Sequence, residues 1–283
     1  MQIQESQLRD FVERALYEDV RDGDHTSLAC VPADAIGKAK LLVKDTGVLA
    51  GVELARYIFN YIDPSFQLDV FIEDGTPVQY GDVAFIVTGK SQQILKAERL
   101  VLNTMQRMSG IATLTRQFVE AVAGLPVQLL DTRKTTPTIR FIEKWAVRIG
   151  GGTNYREGLY DRIMIKDNHT DYCGNIQTAI AQAQAYLQAH NLDLQMTVEV
   201  RNLDELQQVL AAGGVERIML DNFQLDTMRE AVQLIGDRCE IEASGGVTLD
   251  TVRAIAETGV QFISVGALTH SFRSLDLSLK KTK

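Results

Sequence analysis

Four positively charged residues lie close together in the middle of the chain, at or near the ends of apolar runs. Arg133 and Lys134 follow the apolar run 127–130, Lys166 follows the run 163–165, and Arg156 lies between them. The guanidinium of arginine makes two-point contacts with carboxylates and phosphates, whereas the ammonium of lysine acts as a mobile point charge. These residue types predict a binding site for a small molecule that carries both kinds of anion.

Two carboxylates accompany these cations on later apolar runs. Glu199 lies in TVEVR, and Asp221 ends RIMLD. Carboxylates among cations can hold Mg²⁺, accept hydrogen bonds from sugar hydroxyls or face a developing positive charge. Glu199 and Asp221 are therefore candidates for a catalytic role, for binding a sugar or for binding Mg²⁺.

Two glycine-containing turns follow the last apolar runs. Backbone N–H groups at such turns, near the N-termini of helices, form the usual cradle for a phosphate. The residues concerned are Ser244, Gly245, Gly246, Ser264, Gly266 and Ala267. A phosphate cradle, cations, carboxylates and Mg²⁺ together match a phosphoribosyl diphosphate donor, whose transfer passes through an oxocarbenium-like transition state.

Two other interpretations of the cations remain open. Lys166 could form a Schiff base, as lysines at strand ends do in barrel aldolases. The charged stretch could also be the solvated face of a helix. Between Asp131 and Asn168 the cations exceed the acids by three, although the whole chain carries a net charge of −8. Such a local excess favours a focused site for a small anion.

Composition limits the classes of function. The net charge of −8 argues against nucleic acid and anionic membranes as partners. No apolar run reaches the roughly 18 residues that span a bilayer, and the first residues do not resemble a signal peptide. The three cysteines are far apart and form no CxxC pair, which argues against a zinc site or a disulfide framework. We expect a cytoplasmic protein.

Hydrophobic patterning predicts two domains. Residues 1–112 contain an amphipathic helix, alternating strands and a long helix that Ser91 can cap, which indicates an α+β domain. Residues 113–269 alternate six short apolar strands with amphipathic helices, which indicates a parallel sheet. Six strands favour an α/β barrel, complete or incomplete, over an open doubly wound sheet. The tail, about residues 270–283, is expected to pack back on the first domain.

Polar residues end every one of the six predicted strands. They include the strand-end segments at Asp131, Lys166, Glu199, Asp221, Ser244 and Ser264. In an α/β barrel the carboxyl ends of the strands converge on one face, where the active site is built. We therefore expect Arg133, Lys134, Arg156 and Lys166 to point into one opening.

The stretch 131–169, DTRKTTPTIRFIEKWAVRIGGGTNYREGLYDRIMIKDNH, resembles the signature of the quinolinate phosphoribosyltransferase family. Further segments resemble that family in the expected order: LNTMQRMSGIAT, TVEVRN, IMLDN, EASGGVTLD and FISVGALTH. The resemblance implies an α/β barrel that is incomplete, with about seven strands, beside an α+β sandwich-like N-terminal domain. It also implies transfer of phosphoribosyl from phosphoribosyl pyrophosphate to quinolinate, with decarboxylation and Mg²⁺, in NAD biosynthesis.

The resemblance also assigns roles to residues. Arg133 and Arg156, joined by Arg107 of the neighbouring subunit in a homodimer or higher oligomer, would hold the quinolinate carboxylates, and Thr135 and Tyr155 would also bind substrate. Lys134 and Lys166 would lie near the phosphates and the reacting centre. Glu199 and Asp221 would face the ribose and the metal, and the two serine–glycine turns would bind the 5′-phosphate.

The chain departs from the family pattern at two places. Thr138-Ile139 follows Pro137 where the family usually has Gly-Leu, and Tyr155 replaces a histidine. Tyrosine donates a hydrogen bond but carries no positive charge near neutral pH. A phosphoribosyltransferase acting on nicotinate or another anionic ring, and a non-catalytic homologue, are the alternative functions.

Overall fold

The chain folds into two compact units, each built from more than one segment. The computed structural model describes residues 3–282. The first unit comprises the chain up to Arg116, together with Thr135–Gly151 and the residues from Ser271 onward. The second unit comprises Gln117–Lys134 and Gly152–His270. Within residues 3–282, no helix combines the length and apolarity needed to cross a membrane.

The chain begins with an α+β arrangement. Its elements up to the long helix are α1 (Glu5–Asp19), α2 (His25–Cys30), β1 (Ile36–Val43), β2 (Gly47–Val48), α3 (Val52–Ile62), β3 (Gln67–Val70), β4 (Pro77–Val78), β5 (Val83–Lys90) and α4 (Ser91–Ala121). The long helix α4 continues past the predicted domain boundary at residue 112 and ends inside the second unit.

The remaining elements alternate strands with helices. They are β6 (Gln128–Leu130), α5 (Arg140–Ile149), β7 (Ile163–Ile165), α6 (Asp167–Cys173), α7 (Ile176–His190), β8 (Met196–Val200), α8 (Leu203–Ala212), β9 (Arg217–Asp221), α9 (Leu225–Ile235), β10 (Glu240–Ser244), α10 (Val252–Ala256), β11 (Phe262–Ser264), α11 (Ala267–His270) and β12 (Leu277–Lys281).

The first unit is organised around a four-stranded antiparallel sheet in the order β12-β1-β5-β3. Alternate residues of β1 are buried, which is the pattern of a strand with one face on the core. Phe59 of α3 packs edge-to-face on Phe85 of β5, with ring centroids 6.1 Å apart. The C-terminal strand β12 pairs with β1, so the tail belongs to this sheet.

The second unit contains a parallel sheet in the order β6-β11-β10-β9-β8-β7. The first strand, β6, therefore lies beside the last, β11. On the other side of β6, Leu130 forms an isolated parallel bridge with Thr153. Six strands and this bridge make an incomplete α/β barrel, which confirms the predicted fold class. Over residues 3–282 the parallel sheet has six strands where the resemblance implied about seven, and the bridge at Thr153 extends it by one residue beyond β6.

One predicted segment groups differently from the sequence-based boundaries. Residues 135–151, which those boundaries include in the barrel domain, group with the first unit. They contain the helix α5, where Phe141 packs edge-to-face on Phe11 of α1, with centroids 6.1 Å apart. Its strongly one-sided apolar stripe explains why α5 packs on a neighbouring helix.

Candidate active site

A cavity of about 1370 Å³ lies in the second unit, at the carboxyl ends of the parallel strands. Most of the residues that the sequence singled out line it. They are Arg133, Lys134, Tyr155, Arg156, Lys166, Asp221, Ser244, Gly245, Gly246, Ser264, Gly266 and Ala267. The parallel sheet brings these residues together because successive strand ends share one edge.

Arg133 and Arg156 form a pair of like charges in this cavity. The pKa of Arg156 is lowered, first by its burial and then by the positive charge of Arg133. Both effects disfavour a charged guanidinium, so they identify a place where a bound anion would relieve electrostatic repulsion. Two forked donors side by side are suited to a molecule with two carboxylates.

Lys134 is fixed against the last glycine turn. Its backbone N–H donates to Thr132 Oγ1 at 3.1 Å, and its carbonyl accepts from Thr269 Oγ1 at 2.8 Å. A Cβ at Gly266 would lie 3.1 Å from Lys134 Cδ and 3.0 Å from His270 Nε2. Because Gly266 has no side chain, the methylene groups of Lys134 can pack beside this turn.

Lys166 links the end of β7 to the start of α6 and pairs with Glu199. Its Nζ lies 2.5 Å from Glu199 Oε2. The Glu199 carboxylate is buried, whereas Lys166 is partly exposed and lines the cavity. The backbone N–H of Lys166 donates to His169 Nδ1 at 3.0 Å, which orients the histidine ring. Glu199, unlike Lys166, is not among the described residues that line the cavity.

Asp221 and Asn222 form a turn that packs on the glycines after β10. Asn222 has a left-handed backbone with φ of 55°, and its side chain donates to Asp221 Oδ2 at 2.8 Å. Its backbone N–H donates to the carbonyl of Ser244 at 2.9 Å. A Cβ at Gly245, where φ is 93°, would overlap the Asn222 side chain. Glycine is thus required at position 245 for two reasons: the positive φ angle, and the lack of space for a Cβ beside the Asn222 side chain.

The side chain of Ser264 points to a buried carboxylate. Its hydroxyl donates to Glu242 Oε1, and both residues are buried. Arg217 Nη1 donates to the other oxygen of Glu242 at 3.4 Å. The pKa of Glu242 is raised, chiefly because burial outweighs the hydrogen bond from Ser264 and the charge of Arg217. The hydroxyl proton of Ser264 is therefore already used inside the protein.

Tyr155 lines the cavity, but its polar group is engaged within the second unit. Its hydroxyl lies 2.7 Å from Thr197 Oγ1. The guanidinium carbons of Arg162 and Arg217 lie 5.2 Å and 4.8 Å from its ring centroid, within cation–π range. Burial is the main reason that the pKa of the phenol is raised, so Tyr155 is neutral at physiological pH.

Two predicted substrate-binding residues, Arg107 and Thr135, belong to the first unit. Arg107 Nε donates to Glu143 Oε1 at 2.8 Å, and its Nη2 reaches the same oxygen at 2.5 Å. Glu143 is fully buried, whereas the Arg107 side chain is 31% exposed. Thr135 accepts a hydrogen bond from Arg140 Nε at 2.9 Å. Within their own chain, both residues thus have structural partners.

Several residues of the site were not identified as site residues from the sequence. Asn222, Arg162, His169 and His270 line the cavity, and Glu242 lies buried beside Ser264. Period-two alternation places Glu242 on the same strand face as Ser244, which was a usable signal. Nothing in the local pattern distinguishes Asn222 or Arg162 from ordinary polar residues.

The acidic residues present fit only one kind of metal site. Over residues 3–282, no three or more His, Cys, Asp or Glu are grouped so as to hold a metal ion. Asp221 lines the cavity, and Glu199 is paired with Lys166. Mg²⁺ commonly binds through one or two carboxylates together with substrate phosphates. The donors therefore suit a Mg²⁺ ion that binds with a diphosphate, but not a cage made by protein alone.

Two family models match consecutive parts of the chain. The N-terminal domain of quinolinate phosphoribosyl transferase matches residues 24–109, and the C-terminal domain matches residues 111–280. The chain is 46% identical to the nicotinate-nucleotide pyrophosphorylase [carboxylating], chloroplastic, of Arabidopsis thaliana, over 96% of this chain and 82% of that protein. It is 40% identical to the probable nicotinate-nucleotide pyrophosphorylase [carboxylating] of Bacillus subtilis, over 98% of this chain and 94% of that protein.

Solved structures agree with these relatives. The fold matches the crystal structure of NadC from Streptococcus pyogenes with a TM-score of 0.93 and 37% identity, covering all of both chains. The nicotinate-nucleotide pyrophosphorylase from Francisella tularensis matches with a TM-score of 0.91 and 36% identity, over 99% of this chain and 98% of that chain. This chain therefore belongs to the quinolinate phosphoribosyl transferase family.

Proposed function

We propose that this protein is the enzyme that joins quinolinate to phosphoribosyl pyrophosphate, yielding nicotinate mononucleotide, pyrophosphate and CO₂ for NAD biosynthesis. It is a phosphoribosyltransferase, the activity that the name of its Nicotiana tabacum relative states for that protein. The observation that carries the proposal is one cavity lined by Arg133, Lys134, Arg156 and Lys166. Quinolinate brings two carboxylates and its partner brings five phosphate-borne charges, so both substrates need this cationic lining.

Arg133 and Arg156 bind the quinolinate carboxylates. Charge-assisted hydrogen bonds contribute roughly 1.5–3 kcal/mol each. Two or three arginine contacts therefore supply much of the roughly −8 kcal/mol that corresponds to micromolar affinity. Burial, and after it the charge of Arg133, lowers the pKa of Arg156 in the free protein, and binding a dianion removes the repulsion between the two guanidiniums.

Ribosyl transfer forms a bond between the ring nitrogen of quinolinate and C1′ of the ribose. The C1′–O bond to pyrophosphate breaks, and its electron pair leaves with the pyrophosphate. Asp221 stabilises the positive charge that develops on the ribose, and Lys134 and Lys166 take the charge of the leaving group, with the buried Glu199 holding Lys166 in place. The turns at Ser244–Gly246 and Ser264–Ala267 bind the 5′-phosphate through backbone N–H groups.

Decarboxylation then needs little from the protein. The ribosylated ring nitrogen is cationic, so the bond to the 2-carboxylate can break and leave its electron pair on C2. CO₂ departs, and C2 takes up a proton from water. The role of the cavity is to hold the ring and neutralise the 3-carboxylate that remains, which is catalysis by positioning.

Mg²⁺ is part of this proposal as a companion of the diphosphate. Asp221 would hold it, with Glu199 as the second carboxylate if Lys166 moves to the pyrophosphate. When bound, the ion would neutralise charge on the departing pyrophosphate. We expect chelation by EDTA to abolish turnover and added Mg²⁺ to restore it. Calorimetry should detect Mg²⁺ binding only when a diphosphate is present, and tight binding to the free protein would contradict this arrangement.

We also propose a homodimer with shared sites, in which Arg107 and Thr135 of one subunit complete the cavity of the other. The support is the resemblance of the segment around Arg107 to the family pattern. Mixed dimers of Arg107→Lys and Arg133→Ala chains test it. Lysine retains the charge opposite Glu143 but lacks the fork that reads a carboxylate. Each variant alone should be nearly inactive, and the mixture should recover some activity through one intact site per dimer. Verified mixed dimers without recovery would refute shared sites.

Quinolinate labelled in its 2-carboxyl group tests the reaction itself. The proposed enzyme releases labelled CO₂ only when phosphoribosyl pyrophosphate is present, whereas a nicotinate-specific transferase or a non-catalytic homologue releases none. Arg156→Ala should remove this release. Arg229→Ala is the matched control, since Arg229 lies on α9 outside the cavity lining and pairs with the exposed Asp226 at 2.7 Å. Release without phosphoribosyl pyrophosphate would contradict the proposal.

A cytoplasmic location is proposed on the three cysteines, all of which are free thiols. The plant relatives are named as chloroplastic or mitochondrial, so location differs among members of the family. Fractionation of the native host, followed by immunodetection of the protein, tests this proposal. Recovery in an organelle fraction would overturn it.

A further inference from the structure

A fully buried carboxylate joins the two segments that carry Arg133 and Arg156. Asp131 is 0% exposed and directly follows β6. Its Oδ1 accepts from the backbone N–H of Tyr155 at 2.8 Å, and its Oδ2 accepts from Asn154 Nδ2 at 2.6 Å. Asn154 and Tyr155, which directly precede Arg156, are thus held by Asp131, which lies two positions before Arg133.

Main-chain hydrogen bonds extend this connection. The N–H of Asp131 donates to the carbonyl of Thr153 at 3.1 Å, and the N–H of Thr153 donates to the carbonyl of Leu129 at 2.8 Å. Thr153 therefore forms a parallel bridge with Leu130 at the end of β6. The spacing of Arg156 from Arg133 depends on whether this bridge holds.

The side chain of Tyr155 fixes the same segment from another direction. Its hydroxyl pairs with the fully buried Thr197 at 2.7 Å, and its ring contacts the guanidiniums of Arg162 and Arg217. Arg162 Nη1 also donates to Thr197 Oγ1 at 2.9 Å. A hydroxyl and a ring used in this way are poorly available for direct recognition of a substrate.

We propose that Asp131, Asn154, Tyr155 and Thr197 form an anchor that presents Arg156 to quinolinate beside Arg133. They act as positioning residues, and Tyr155 does not itself contact the substrate. The inference rests on the proposed function, because it assigns Arg156 to the quinolinate carboxylates. It predicts that damage to the anchor weakens quinolinate binding and leaves binding of phosphoribosyl pyrophosphate intact, since the phosphate turns lie on β10 and β11.

Three single variants test the anchor in the full-length protein. Asn154→Ala removes one hydrogen bond to Asp131, and Tyr155→Phe removes the tyrosine hydroxyl. Thr197→Val removes the partner of that hydroxyl and replaces threonine with a side chain of similar volume. Asn175→Ala is the matched control. It deletes an asparagine hydrogen bond of similar length, 2.8 Å to the N–H of Thr178, at the start of α7.

Each anchor variant should raise the KM for quinolinate by about five-fold or more, the effect of one net hydrogen bond. The KM for phosphoribosyl pyrophosphate should stay within about two-fold, and the control should change neither. Tyr155→Phe and Thr197→Val should each raise the KM for quinolinate, and the double variant should raise it by less than the product of the two single effects, because both substitutions remove the Tyr155–Thr197 bond. Thr197→Val also removes the acceptor of Arg162 Nη1, so its single effect should be at least as large as that of Tyr155→Phe. Calorimetric affinity for quinolinate should follow the KM values.

Two results would overturn the anchor. One is an unchanged quinolinate KM in Asn154→Ala and Thr197→Val proteins whose melting temperatures show that they are folded. The other is a raised KM in Tyr155→Phe but not in Thr197→Val, which would mean that the Tyr155 hydroxyl binds substrate directly. Failure of the proposed function gives a different result, because wild-type protein would then release no CO₂ from quinolinate. That result would also refute the anchor, since the anchor assigns Arg156 to quinolinate.

Discussion

Arg107 has a structural task within its own chain, and Arg107→Ala should therefore destabilise the protein as well as inactivate it. Arg107 makes two hydrogen bonds to Glu143, a carboxylate that is fully buried in the first unit. Removing one partner of a buried ion pair costs roughly 3–5 kcal/mol, because the other charge stays buried without compensation.

The expected loss lies at the low end of this range. The Arg107 side chain is 31% exposed, and the N–H of Thr136 still donates to Glu143 Oε2 at 3.0 Å after the substitution. We expect a loss of about 3 kcal/mol in the free energy of unfolding. At about 2–4 °C per kcal/mol for a chain of this size, the melting temperature should fall by about 6–12 °C.

Calorimetric melting of two further proteins completes the experiment. Arg99→Ala removes an exposed arginine from the same helix, α4, and should change stability by no more than about 0.5 kcal/mol. Adding Glu143→Gln to Arg107→Ala should recover part of the loss, since a buried amide is less costly than an unpaired carboxylate. A fall of less than 2 °C for Arg107→Ala, or no recovery in the double variant, would refute the ion-pair argument.

Three other predictions follow from individual positions. Gly245→Ala should raise the KM for phosphoribosyl pyrophosphate because a methyl group displaces Asn222, whereas Gly236→Ala, at a positive φ with open space around it, should lower only the melting temperature. Thr138 has a left-handed backbone with φ of 71°, so Thr138→Gly should raise the free energy of unfolding by about 0.5 kcal/mol in urea titrations. A loss of stability would contradict that strain. The pKa of Glu242 is raised by burial, so the folded protein binds this proton more tightly than the unfolded chain does. Protonated Glu242 therefore contributes to the free energy of unfolding below about pH 4.5, and this contribution is lost as pH rises through the folded pKa. The stability of Glu242→Gln relative to wild type should therefore increase with pH from about 4.5 upward in urea titrations, and a decrease would refute the sign.

The strained backbone at Thr138 gives a physical meaning to one departure from the family pattern. Glycine tolerates a positive φ without cost, whereas a β-branched residue is strained there. The glycine expected at this position is thus explained by the backbone, and the threonine is a local cost in this chain. Neither conclusion could be drawn before the φ angle of residue 138 was known.

Local patterns were sufficient for the elements and for much of the cavity lining. Strand–helix alternation predicts a parallel sheet, and parallel strands place their carboxyl ends on one edge. The cations at 133, 134 and 166 therefore had to lie on that edge once β6 and β7 were recognised. Arg156 lies in no strand or helix, so its place in the same opening was the least constrained of the four, and its role toward a quinolinate carboxylate came only from the family resemblance.

Tertiary structure alone decided which partners these residues have. Asp131 and Asn154 are 23 residues apart, and Arg107 and Glu143 are 36 apart, so no local periodicity relates them. The same holds for the ion pair of Lys166 with Glu199 and for the hydroxyl of Ser264, which turns to Glu242 instead of the cavity. The amino-acid sequence determined which segments form strands and helices, because short-range periodicity indicates both. Burial and pairing of charges depend on contacts between distant segments, and only the folded chain brings those segments together.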